Sequence, residues 1–194
     1  LGAPKDLTWL TSDVPGWLQD VIRLAYGRAY AQRRLFDEAL ESLSGLELSQ
    51  VCDPASLLFY RASSEHHLMK KNDCLDNVKL LLQRVEELPT RYRQLAVLMQ
   101  ADIAPMEKDS LDEIARMMSD VQRRLDLGRA GQIVRNEEEN IVKKLDKIIE
   151  EIEEQAQKMQ QQQQAALQQN QNQQQSAQQP MDDSQIAGGS GPGD

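Results

Sequence analysis

The chain has 194 residues, a formal net charge of −9 and only 4% aromatic residues. That acidic balance excludes nucleic acid as the main partner, because such modules concentrate Lys and Arg to displace counterions from phosphate. No apolar run approaches the ~20 residues that span a bilayer as a helix, and the excess of Leu, Gln, Glu and Ala over Val, Ile and Thr predicts an all-α fold.

The sequence begins Leu1-Gly2-Ala3-Pro4 without Met and ends in GGSGPGD. Both ends read as those of an excerpt, with any export signal already removed. The compartment is then cytoplasm or cell envelope, with a lean toward export.

Residues 1–12 form a leading segment, with Trp9 expected against the first helix. Asp13 to Pro15 opens that helix, and Trp17, Leu18, Val21, Ile22, Leu24 and Ala25 follow at spacings of three and four as one core-facing stripe. A break at Arg33-Arg34 leads into a shorter helix carrying Phe36, Ala39, Leu40 and Leu43, closed by Gly45. Asp53 then caps a helix over 54–70 with Pro54 at its first position. Asn72-Asp73 makes the next turn and cap, and a helix over 74–86 ends before Pro89. A third pair covers 90–102 (Leu95, Leu98, Met99) and 111–125 (Leu111, Ile114, Met118, Val121, Leu125). Ser110 and Glu113 form a capping box at the start of its second helix.

Gly128 and Gly131 interrupt the pattern, and a long helix starts near Asn136, capped with Glu139. Its apolar residues Ile141, Leu145, Ile148, Ile152 and Met159 are spaced four, three, four and seven apart, the a/d seam of a coiled coil. From Gln160 to Gln179, 13 of 20 residues are Gln, and nothing there can bury a core. The expected organisation is therefore a helical-hairpin domain over 1–127, an amphipathic coiled-coil helix over 128–160 and a disordered Gln-rich linker over 161–194.

Within residues 25–43, the small Gly27 precedes Tyr30, Phe36, Ala39 and Leu43, an order in which a small residue lets helices approach and aromatics fill the groove between them. This resembles a tetratricopeptide repeat, whose helix-turn-helix unit carries small, aromatic, aromatic and Ala positions in that order. Thirty-nine residues later Leu75, Val78 and Leu82 stand where Phe36, Ala39 and Leu43 stood, and Pro89 falls near the repeat's terminal proline. The offset exceeds the usual period, His66 and Met69 take the Gly and Tyr positions, and the likeness covers residues 14–90. A repeat superhelix and a plain antiparallel bundle both remain open. The segments RRLDLGRAGQ and IVKKLDKIIEEIE are similar to uncharacterised bacterial proteins with helical repeats, a coiled coil and a Gln-rich linker. That similarity implies no activity.

No catalytic, cofactor or metal set emerges. Glu65, His66, His67, Asp73 and Cys74 lie close in sequence, but neighbouring helical residues point ~100° apart, whereas helical ligands sit at i and i+3 or i+4. Cys52 and Cys74 lack an accompanying base. At ~1.5 Å per helical residue they fall about 25 Å apart, too far for a disulfide. Gly128-Arg129-Ala130-Gly131 lacks the lysine and strand of a phosphate loop, and Arg33-Arg34 and Arg123-Arg124 are too sparse for a nucleic-acid patch. The expected function is a non-enzymatic protein-interaction or scaffold module binding a protein or peptide. Tyr26, Tyr30 and Arg33 would line the repeat groove, and residues 136–160 would pair with another chain, with a second copy, or along the chain's own body. The rival is an accessory domain of a larger enzyme or envelope assembly whose active part lies elsewhere.

Overall fold

The computed structural model describes residues 14–84 and 88–176, with side chains through residue 164 except at Arg84. The described residues form seven α-helices and no strand: α1 (Gly16–Gln32), α2 (Phe36–Leu43), α3 (Pro54–His67), α4 (Lys71–Arg84), α5 (Thr90–Ile103), α6 (Leu111–Asp126) and α7 (Gln132–Ser176). Two compact units divide the chain, Leu1–Leu145 and Asp146–Asp194.

In the first unit α1 pairs with α2 and α3 with α4 as antiparallel hairpins, and α3 packs on α1, α2, α4 and α5. Its position follows from its composition. α3 buries Ala55, Leu57, Leu58, Phe59, Tyr60 and Ala62, and a helix apolar around most of its circumference is stable only when surrounded. Asp53 caps it, its Oδ1 accepting the Ser56 N–H at 2.9 Å, with Pro54 at the first position. Against it α2 contributes Ala39 and Leu43, and α4 contributes Cys74, Val78 and Leu81, all fully buried. Gly27 permits the α1–α2 contact, since a Cβ there would overlap Leu43.

One stop device ends α1, α3 and α6. The residue after the cap takes a left-handed conformation: Arg34 at φ 63°, Met69 at 57° and Gly128 at 73°. The next N–H then reaches five residues back, Leu35 to Tyr30, Lys70 to Glu65 and Arg129 to Arg124, at 2.9–3.0 Å. This is the Schellman arrangement, and glycine is its usual residue. Two of the three use Arg and Met instead; α1 ends at the expected Arg33-Arg34 break, whereas the boundary after α3 moves. α3 stops at His67, not residue 70, and Asn72-Asp73 lies within the first turn of α4, not in the turn before it.

Several residues expected in the core are exposed. Trp17 and Val21 face outward from α1, and Leu98 outward from α5. On α6 the buried face carries Ile114, Met117, Asp120, Val121 and Arg124, so the row Leu111, Met118, Leu125 sits at its exposed margin. Charged side chains turn that face inward, a point that apolar periodicity alone misses. α7 begins at Gln132, ahead of Asn136, and buries Val134 and Ile141 in the first unit. It also continues past residue 160 to Ser176. Gln and Ala are good helix formers, and propagation from an existing helix is far easier than nucleation. Trp9, the expected end of α4 at residue 86 and residues 177–194 lie outside the described residues.

Candidate interaction site

The residues expected to line a groove occupy three different environments. Tyr30 belongs to the core cluster, 7% exposed. Tyr26 is half-buried against that cluster, its ring centroid 6.1 Å from that of Tyr30. Arg33 is exposed at the end of α1. The five seam residues also separate along α7. Ile141 is buried and Leu145 half-buried in the first unit. In the second unit Ile148 is half-buried, whereas Ile152 and Met159 are 59% and 62% exposed. Ile149, off the strict seam, is 52% exposed beside them.

The histidines are engaged in packing and pairing. His66 Nε2 lies 2.8 Å from Asp102 Oδ2, which also accepts from Arg116 Nη1 at 2.7 Å. Arg116 reaches Asp112 as well, so one guanidinium ties α5 to α6. These contacts hold the Asp102 carboxyl down at about 2, the Arg116 hydrogen bond contributing most. His67 stacks on Phe36 at 4.2 Å. Burial, with the charges of His66 and Arg123, holds its imidazole well below the usual histidine range. Glu65 accepts both its hydrogen bonds from Asn77 Nδ2 at 2.8–2.9 Å, and burial pushes its carboxyl up. No group of three metal-ligating side chains occurs among the described residues. Both cysteines are free. Cys52 is exposed, and Cys74 is buried with its thiol pushed up to about 12 by desolvation.

What apolar and motif reasoning passes over is a charged network joining α2, α6 and the start of α7. Asp120 is 4% exposed and Arg123 3%. Asp120 Oδ1 accepts from Arg123 Nε at 2.8 Å, and its Oδ2 accepts from Arg124 Nε at 2.6 Å. Arg123 Nη1 also donates to the Arg34 carbonyl at 2.7 Å, securing the strained turn after α1, and its guanidinium lies 5.0 Å from the Phe36 ring centroid. Arg124 pairs with Asp37 at 3.0 Å, and Arg129 with Glu38. The signal in the sequence is Asp120 placed three and four residues before two arginines, which puts all three on one helical face.

No protein-family model, curated protein or solved structure matches the chain. The site must be judged on its own chemistry.

A cavity of about 400 Å³ beside this network is lined by Asp37, Glu38, Arg124, Arg129 and Val134, among others. The opposite charges around it already pair with one another, which is the behaviour of a structural clamp. A second cavity of about 240 Å³ is lined by Arg34, His66, His67, Arg116 and Arg123, among others. Arg116 and Arg123 there are committed to Asp102 and Asp120. Lys144 of α7 bridges Asp109 and Glu113 at 2.6 and 2.5 Å, and Glu113 accepts the Asp109 N–H while Ser110 caps the Glu113 N–H. The turn that starts α6 thus doubles as the anchor for α7. Beyond that anchor α7 exposes apolar side chains. Among the described residues no helix is long and apolar enough to cross a membrane.

Proposed function

We propose that this chain is a non-enzymatic protein–protein interaction or scaffold module. Its main contact surface is the apolar face of α7 beyond residue 146. The reading is carried by one observation: Ile149, Ile152 and Met159 are each more than half exposed on one helix. Single exposed apolar residues are ordinary, whereas a row at helical spacing, bordered by Glu and Lys, is the composition of a docking face. A tetratricopeptide-like groove is the second part of the proposal. With Tyr30 buried, Arg33 and the open edge of Tyr26 supply what that groove offers a peptide.

A photo-reactive residue introduced into the full chain in place of Ile152, and separately in place of Glu150 on the opposite face, tests this. Adducts with a protein partner are expected from position 152 and not from position 150. Absence of adducts, or equal labelling from both positions, would remove the docking face.

A further inference from the structure

The second unit's apolar residues do not form the narrow stripe of a two-stranded parallel coiled coil. With Ile152 and Met159 at a positions and Ile148 and Gln155 at d, the e positions are Ile149 and Ala156. The g positions are Glu151 and Lys158. One edge of the seam is therefore apolar, and the other carries one charge of each sign, a turn apart.

These edges decide orientation. In a parallel pair, each g residue faces the e residue five positions on in the other helix. Glu151 would face Ala156, and no interhelical ion pair would form. In an antiparallel pair g faces g and e faces e. Aligning Ile148 with Met159 of the second copy then sets Glu151 against Lys158 twice, and Ile149 against Ala156 twice. Ile152 meets Gln155, whose long side chain can carry its amide to solvent. A parallel pair would set Ile148, Ile152 and Met159 each against its own copy, but would bury Gln155 against Gln155 and leave both charges of the g edge unpaired. Within one chain Glu151 and Lys158 make exposed pairs, with Lys147 at 4.0 Å and Glu154 at 3.2 Å respectively. Such contacts hold their side chains weakly and leave them open to exchange.

We infer that the occupant of this face is a second copy of the chain, docked antiparallel about a centre between Glu153 and Glu154. This rests on the proposed docking face and names its partner. In such a dimer the two position-148 residues lie about 16 Å apart along the axis, beyond disulfide reach, while positions 148 and 159 are adjacent.

The test uses the full chain with Cys52→Ser and Cys74→Ala, carrying either Ile148→Cys or Met159→Cys. Mixed in equal amounts and oxidised, the two variants are expected to yield the crossed 148–159 disulfide, and neither alone a covalent dimer. Homodisulfides from each variant alone would establish a parallel pair and overturn the proposal. In the unmodified chain, sedimentation over a concentration series reads the dimer directly. There Glu151→Lys should weaken association by on the order of tenfold, and adding Lys158→Glu should restore it. A double variant as weak as the single one would overturn the register. A chain that stays monomeric, yet still gives adducts from position 152 with a different protein, would refute the second copy and leave the docking face standing. Monomers without any adduct would end both.

Discussion

Asp120 sits between two arginine guanidinium groups in a region closed to water. Both its oxygens are occupied, one by Arg123 and one by Arg124. Removing the carboxylate leaves the two cations with half-exposed Asp37, and with Glu137 at 3.7 Å from Arg124, as their remaining carboxylates. Breaking a buried pair from one side costs about 3–5 kcal/mol, because the remaining charge stays desolvated. Asp120→Asn should therefore lose at least about 3 kcal/mol in urea unfolding, and a loss below about 1 kcal/mol would show that water reaches the network. The cysteines differ for a related reason. Cys74 is fully buried and its thiolate is disfavoured by desolvation, while Cys52 is exposed before α3. Thiol titration of the native chain is expected to give one rapidly reacting group, with the second appearing only on unfolding. Two fast thiols would place Cys74 near solvent.

At the scale of elements, the α1–α2 contact turns on Gly27. Alanine there favours helix by ~1 kcal/mol over glycine, but its Cβ would overlap the Leu43 side chain as far as Cγ. Leu43 is fully buried and has nowhere to move. Overpacking costs about 1–3 kcal/mol, so the steric loss wins. Gly27→Ala should destabilise the chain, and the same change in a Leu43→Ala background should be neutral or stabilising. Thermal unfolding of the four chains reads this reversal, and additive effects would argue against the contact. The helices themselves were legible: the Asp53-Pro54 start and the Ser110 cap announce α3 and α6 in the sequence and form in the structure, although Glu113 reaches back to the Asp109 N–H instead of that of Ser110. The break at Arg33-Arg34, where α1 stops, was legible too. The stop at Met69 was not: a left-handed residue without glycine leaves little local mark, and such residues are tolerated because surrounding contacts, such as that of Arg123 with the Arg34 carbonyl, hold them there.

For the whole molecule, every described buried apolar side chain lies at or before Ile141. The unit ending at Leu145 therefore contains the core, and truncation after Leu145 should leave one cooperative urea transition with an unchanged midpoint. A broadened or shifted transition would mean that later residues support the core. The all-α class, the hairpin order and the long last helix follow from composition, caps and apolar periodicity, because these act over a few neighbouring residues. The Asp120–Arg123–Arg124 spacing was present in the sequence too, but its burial depends on α2 lying opposite with Asp37 and Glu38. The same holds for Trp17, Met118 and Leu125, apolar residues that read as core yet stand exposed. Local sequence fixes which residues share a helical face. Only packing determines which faces meet, since that depends on the shape and charge of segments distant along the chain.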